Sequence, residues 1–357
     1  MPDSTPATAL LLYTRAGFEN EAAAEIVERA AAAGVYGYCR TRPDTALVAF
    51  HAHDGSGVAP VLEAVDFDSM IFARQWLAGH GWLPPLPERD RLTPLLASLP
   101  SDARYAEVRL EHPDTNDGKS LSRFCRGFGH AVRRALEQRE ALRADAPQRL
   151  HLLFEDSATV FPGVAPVTNS SPWPLGVPRL RMPRGAPSRS TLKLEEALLT
   201  LLTEGERSRW LKPGATAVDL GAAPGGWTWQ LVQRGMHVTA VDNGPMEEAL
   251  MASGLVDHRR EDGFGFRPPC PVDWLVCDIV EQPGRILSLM GRWLVRGDCR
   301  RAIFNLKLPM KKRHAVVVDG LRRLHAELQG APGPMRIRCK QLYHDREEVT
   351  VAVLPPA

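Results

Sequence analysis

The segment VDLGAAPGGW at 218–227 limits what this 357-residue chain can fold into more than any other. Apolar residues lead into Asp219, three glycines follow within six positions, and the helix-forming run WTWQLV begins at once. The segment therefore reads as a strand, a tight turn and the first turn of a helix. Gly221 permits the turn, and Gly225 and Gly226 let a ligand approach the backbone where free N–H groups of a helix start gather. Asp242 ends the next strand, about 20 residues on, where an acidic side chain meets a ribose hydroxyl in nucleotide-binding folds. A dinucleotide fingerprint wants GxGxxG, but Ala223 and Pro224 hold its centre, and Pro224 offers no N–H to a pyrophosphate. A ligand with a ribose and an adenine but no phosphate fits better, which points to S-adenosylmethionine. Asp262, in REDGF after the third strand position, is the candidate partner of the adenine amino group; its plain alternative is a turn aspartate preceding Gly263.

From Thr191 onward helical and strand patterns alternate: TLKLEEALLTLL, TAVDLG, WTWQLVQRG, HVTAVD, WLVCDIV, ILSLMGRWLV, RAIFNLK and VVVDGLRRLHAELQ, closed by the strands RIRCKQLYH and EVTVAVL. Alternation of this kind predicts a doubly wound, mostly parallel sheet, and the closing pair predicts an antiparallel last strand. The first half reads as two small α+β units over 1–80 and 81–160. In the first, strands near 9–15, 35–39, 45–51 and 71–77 enclose an Ala-rich helix ending at Gly34. The second has a helix at 91–99, a strand at 104–110, a long basic helix at 119–143 and the strand HLLFED at 151–156. A Pro-rich stretch without carboxylates, holding Arg179, Arg181, Arg184 and Arg189, is expected to be a linker over 161–189, with the catalytic domain over 190–357.

Composition excludes a good deal. Charged residues at 24% and hydrophobic residues at 44% are ordinary globular values, and a net charge of +2 confines any nucleic-acid surface to a local patch. Six cysteines without CxxC spacing suggest reduced thiols and no metal site. The start MPDSTPATALLLYTR is neither a signal peptide nor a membrane span, so a cytoplasmic protein is expected. The chain holds 37 Arg but 7 Lys. Codon bias accounts for the imbalance, yet a surviving lysine marks where an amine that can lose its proton is of use.

Two of those lysines fall on the elements that matter. Lys193 opens the helix before the glycine turn, and Lys307 ends the strand AIFNLK; Asp278 ends WLVCDIV, and Glu348 lies in the last strand. Ligands of open α/β sheets bind beyond the carboxyl ends of the strands, so Asp278 and Lys307 would project into the site beside Asp219, and the four together make an alternating Lys, Asp, Lys, Glu set on the fitting elements. Methyl transfer to a ribose 2′-hydroxyl needs the alcohol's proton removed, which a neutral amine can do and a guanidinium cannot. The lysine pKa is expected to fall, through partial burial and the second ammonium.

PSRSTLKLEEA, DLGAAPGGWTWQLV, VDNGPM, REDGF, VCDIVE, FNLKLPMKKR and LYHDREEVTV together resemble the bacterial ribosomal RNA large subunit methyltransferase M family, similar in turn to the FtsJ-type 2′-O-methyltransferases with a Lys-Asp-Lys-Glu tetrad. LLYTRAGFENE and DTNDGKSLSRFCRGF resemble that family's ferredoxin-like and THUMP-like amino-terminal units. The resemblance implies a Rossmann-like class I methyltransferase domain behind those units, using S-adenosylmethionine to methylate a cytidine 2′-hydroxyl of 23S ribosomal RNA. Lys307 would accept the proton within the set Lys193, Asp278, Lys307 and Glu348. Ser190, Asp219, Gly221, Ala223, Pro224, Gly225, Gly226, Trp227, Asp242, Asp262 and Asp278 would form the cofactor site. The family's turn often carries Cys where this chain has Ala223, a position expected to act through its backbone. Glu347 adjoins Glu348, and strand alternation lets only one of them face the site; the spacing to Val-Thr-Val selects Glu348.

For RNA, the basic helix offers Lys119, Arg123, Arg126, Arg133, Arg134, Arg139 and Arg143, and Lys311, Lys312 and Arg313 stand ready for a phosphate beside the target ribose. A transfer-RNA methyltransferase and a non-catalytic RNA-binding assembly factor are the competing readings. The absence of an Asn/Asp-Pro-Pro-Tyr motif speaks against base methylation, and the intact tetrad against the assembly factor.

Overall fold

The computed structural model describes residues 6–53, 55 and 57–356. The acidic lead of residues 1–5, on which part of the reading of the amino terminus rests, lies outside the described residues. Two compact units divide the chain, Met1–Pro178 and Arg179–Ala357.

In the first unit the elements run β1 (Ala9–Tyr13), α1 (Glu19–Ala32), β2 (Gly37–Thr41), β3 (Leu47–Ala52), α2 (Ala59–Ala64), β4 (Gln75–Gly79), α3 (Leu92–Ala97), β5 (Val108–Glu111), α4 (Asn116–Ser120), α5 (Ser122–Gln138), β6 (Gln148–Phe154) and β7 (Val160–Pro166). Among the described residues they build one seven-stranded sheet in the order β2-β3-β1-β4-β7-β6-β5. β1, ALLLY, is buried along its whole length, as a strand inside a covered sheet should be. Buried carboxylates fix α1 to the loops: Glu19 accepts from the Ala46 N–H at 2.8 Å, and Glu25 from the Ile71 and Phe72 N–H groups at 2.6 and 2.9 Å.

The structure corrects three expectations here. Residues 160–166, given partly to the linker, form β7, which joins the two small units into one sheet through Ala78↔Val164 and Gly79↔Gly163. That ladder is two pairs long, so Pro162 and Pro166 fall outside it and no sheet hydrogen bond toward β4 is lost. The basic helix of 119–143 is two helices meeting at Leu121: α4, whose N-cap Thr115 accepts from the Gly118 N–H, and α5, which stops at Gln138. Lys119 therefore belongs to α4, while Arg139 and Arg143 lie beyond α5. The strand expected at 71–77 is shifted to Gln75–Gly79.

The second unit holds α6 (Thr191–Leu201), α7 (Glu204–Trp210), β8 (Thr216–Leu220), α8 (Gly226–Val232), β9 (His237–Val241), α9 (Glu248–Met251), β10 (Val256–Arg259), β11 (Trp274–Cys277), α10 (Pro283–Arg296), β12 (Ala302–Lys307), α11 (Arg313–Glu327), β13 (Arg336–Lys340) and β14 (Glu348–Leu354). Its sheet order is β10-β9-β8-β11-β12-β14-β13. The pairs from β10 to β12 are parallel, and β14 runs antiparallel to both β12 and β13. One core gathers Leu194, Leu198, Trp227 and Leu231 from α6 and α8 on Val276, Ile303 and Ala352 of the sheet. α10 starts at Pro283 and ends on Gly297 in the left-handed region, the asymmetry that helix ends favour. This is the mostly parallel α/β sheet with an antiparallel last long strand that the alternation of patterns predicts. Among the described residues no helix is long and apolar enough to cross a membrane.

Candidate active site

The carboxyl ends of β8, β9, β11 and β12 open on the same edge of the second sheet, and the glycine turn lies at its middle. Gly221 has φ +77° and Gly225 φ +112°, conformations that cost a side-chain-bearing residue dearly. The space a Cβ would need is taken by the protein itself: Ile279 at Gly221, Leu250 and Met246 at Gly225, and the Ser188 and Ser190 hydroxyls at Gly226. That alters the reason expected for Gly225 and Gly226. Their missing side chains let α6 and the segment before α9 close over the turn, rather than simply clearing a path for a ligand. Thr191 Oγ1 completes the contact by donating to the Gly226 carbonyl at 2.8 Å. Ser188 and Ser190 share a hydrogen bond at 2.6 Å beside it.

Asp242, just past β9, is half-buried and receives the Ala223 N–H at 3.1 Å and the Gly244 N–H at 2.7 Å. Its two oxygens keep acceptor capacity for vicinal hydroxyls. Asp262 is exposed and caps its own turn through the Phe264 N–H at 3.1 Å. Two residues of the set point elsewhere. Asp219 is fully enclosed and accepts from Thr228 Oγ1 at 2.6 Å; burial, with smaller pushes from Asp278 and Asp242, raises its pKa to about 7. The Trp227 indole is packed into the core, so any contact it makes with a ligand is through its main chain.

At the neighbouring strand ends four side chains close a ring of alternating charge. Lys193 Nζ lies 3.2 Å from Asp278 Oδ2 and 2.5 Å from Glu348 Oε1; Lys307 Nζ lies 2.6 Å from Asp278 Oδ1 and contacts Glu348 Oε2. Two ammonium groups and two carboxylates leave the ring neutral. Glu348 and Lys307 are directly opposed in the antiparallel β12/β14 ladder, which brings their side chains to one face. Glu347 points away and pairs with Arg313, which also donates to the Pro309 carbonyl at 3.2 Å. Of the three basic residues expected at a phosphate, Arg313 is thus engaged, while Lys311 and Lys312 are exposed.

The Lys307 pKa departs from expectation. Burial pulls it down, but Asp278 and Glu348, by charge and hydrogen bond, outweigh burial and hold the amine above its ordinary value. The second ammonium belongs to the same ring and is itself neutralised there.

A second tier escaped the sequence reading. Asn305, fully buried two residues before Lys307, donates to Asp278 Oδ1 at 2.9 Å and accepts from Thr350 Oγ1 at 2.8 Å. Asn305 and Thr350 are the next same-face pair of the β12/β14 ladder after Lys307 and Glu348, so strand period two was the signal available. Asp345, buried and held well above the usual carboxylate range first by burial and then by Glu348, lies within hydrogen-bond distance of Thr350. On α6, three residues from Lys193, Glu196 accepts the Tyr343 and His344 N–H groups at 2.8 and 2.9 Å, anchoring the loop that leads into β14.

Family models match in three places: an RlmM ferredoxin-like domain over residues 7–77, the N-terminal region of ribosomal RNA large subunit methyltransferase M over 90–165, and an FtsJ-like methyltransferase over 186–290. A ribosomal RNA large subunit methyltransferase M of Cellvibrio japonicus is 50% identical over 341 residues, covering 96% of this chain and 97% of its own. Its counterpart in Alkalilimnicola ehrlichii is 52% identical over 355 residues, covering 98% and 96%. The chain belongs to the ribosomal RNA large subunit methyltransferase M family. Like the family it is an RNA methyltransferase, and the FtsJ-like domain makes S-adenosylmethionine its cofactor. The turn suits that group: Pro224 lacks the N–H a pyrophosphate would seek, and the Asp242 carboxylate stands beside it. Among the described residues no cluster of three or more His, Cys, Asp or Glu is arranged to hold a metal ion.

Proposed function

We propose that the protein methylates the 2′-hydroxyl of a cytidine in 23S ribosomal RNA, in the cytoplasm, with Lys307 as proton acceptor. The closed ring of Lys193, Asp278, Lys307 and Glu348 carries this reading. The residues of the glycine turn, with Ser190, Asp242, Asp262 and the main chain at Trp227, would hold the cofactor. Bound S-adenosylmethionine supplies an electrophilic methyl group on a positively charged sulfur, a charge that disfavours protonation of an amine beside it. Lys307, at the carboxyl end of β12, takes the hydroxyl proton once it is neutral. Asp278 and Glu348 orient its amine and keep the proton's destination fixed, while Lys193 offsets one of their two charges. Asn305 fixes the Asp278 carboxylate, so the ring is held from behind. Lys311 and Lys312, exposed on the loop after β12, suit the phosphate next to the target ribose.

Lys307→Ala is expected to retain S-adenosylmethionine affinity within about threefold while methyl transfer falls by at least about 100-fold, the scale of a lost general base. Calorimetry and a tritiated-methyl transfer assay measure the two, and normal turnover would remove Lys307 from the role. Mass mapping of ribose methylation in cells lacking the protein tests the substrate. If every 2′-O-methylated cytidine of 23S ribosomal RNA persists, the assignment is wrong.

A further inference from the structure

Helix α5 carries two glycines in its interior, Gly127 and Gly129, where glycine is the least favourable residue after proline. The protein's own packing requires neither. A Cβ on Gly127 would meet nothing within 4 Å, one on Gly129 would make ordinary contact with Leu110 at 3.8 Å, and neither residue has positive φ. At 100° per residue they point to different sides of the helix. Gly129 lies beside the face that buries Cys125, Val132 and Leu136. Gly127 is exposed on the other side, between Arg123 and Arg134 and close to Arg126 and His130. Arg123, Arg126, Arg133 and Arg134 are all exposed, and among the described residues Arg123, Arg126 and Arg134 have no ion-pair partner. Glu137 is the acid at the far end of this face.

We propose that Gly127 is where a sugar–phosphate strand of the RNA substrate lies directly against the backbone of α5, with Arg123, Arg126 and Arg134 around it. The proposal rests on the ribosomal RNA reading above and deepens it by assigning the mode of contact. A bare helix surface brings a phosphate closer to the flanking guanidinium groups than any side chain would allow, and it does so without reading sequence. A protein partner on the same face would lack the steep salt dependence that released counterions give to a phosphate contact.

The two glycines supply their own control. In the full-length protein, Gly127→Ala and Gly129→Ala should both raise Tm, by about 2–4 °C, because each strengthens the same helix. Binding is measured on an in-vitro transcript of 23S ribosomal RNA across a salt series. Gly127→Ala is expected to weaken it five- to tenfold at about 0.1 M salt and to lower the slope of log K against log salt by roughly one, the loss of one phosphate contact. Gly129→Ala should bind within twofold of wild type. Unchanged affinity in Gly127→Ala, or equal losses in both variants, would overturn the close approach while leaving the methyltransferase reading intact. A wild-type protein that neither binds nor methylates the transcript would overturn the substrate reading, and the proposal with it.

Discussion

Asp219 ends β8 with its carboxyl group shut away from water, and this enclosure raises its pKa to about 7 despite the hydrogen bond from Thr228. The unfolded chain releases that proton near pH 3.8. Between pH 4 and 7 the unfolded state is therefore the one that has lost it, and stability declines as pH rises, by up to roughly 4 kcal/mol in all at about 1.4 per unit. Asp219→Asn keeps an acceptor for Thr228 and has no charge to bury. It is expected to unfold in urea at pH 8 with a free energy higher by about 1–4 kcal/mol, and its advantage should shrink toward pH 5; an equal gap at both pH values would contradict this. Much of the site was legible at this scale. Lys193, Asp278, Lys307 and Glu348 could be singled out because each is the right chemical type at the end of the right element. Asn305 and Thr350 could not, because a buried amide and hydroxyl look like ordinary strand residues until the β12/β14 register sets them behind Asp278. The direction of the Lys307 shift was also out of reach, since it depends on how near two carboxylates come to one amine.

α7 shows how a short helix is pinned by its first turn. Thr203 accepts from the Glu206 N–H, the Glu206 carboxylate accepts in turn from the Thr203 N–H, and the same buried carboxylate pairs with Arg336 and Arg338 of β13. Thr203→Ala should lower the unfolding free energy by about 1 kcal/mol with an unchanged denaturant slope. A loss under about 0.3 kcal/mol would mean that water replaces the cap. Most elements of the second unit were readable because apolar runs and glycines mark them out; the short α7, α9 and β10, which lack such a run, were not read from the sequence. β7 was not, because two prolines in seven residues argue against a strand, and only the two-pair length of its ladder with β4 makes them harmless. The break at Leu121 was hidden for a related reason: helix periodicity runs straight through it, and the cap at Thr115 shows only once the chain is folded.

The two compact units have separate cores: Leu95, Val132, Leu152 and Phe154 meet in the first, and Leu198, Trp227, Trp274 and Ile303 in the second. Residues 179–357 alone are therefore expected to unfold cooperatively and to bind S-adenosylmethionine within about threefold of the full chain, since every residue of the cofactor turn and ring is included. Methylation of a 23S transcript should fall at least about tenfold, because the arginines of α5 are missing. Full activity in the fragment would show that the first unit is not needed to hold RNA. The ring also has a place in time. Glu348 follows the cofactor turn by more than a hundred residues of synthesis, an interval of roughly 6–24 s at about 5–20 residues per second. A nascent chain thus exposes the turn well before β14 can seat itself beside β12, and Glu348, the partner of Lys307 in the ring, is among the last to arrive. On the mechanism proposed above, catalytic competence waits for a late strand insertion, so a half-made chain has no means of spending its cofactor.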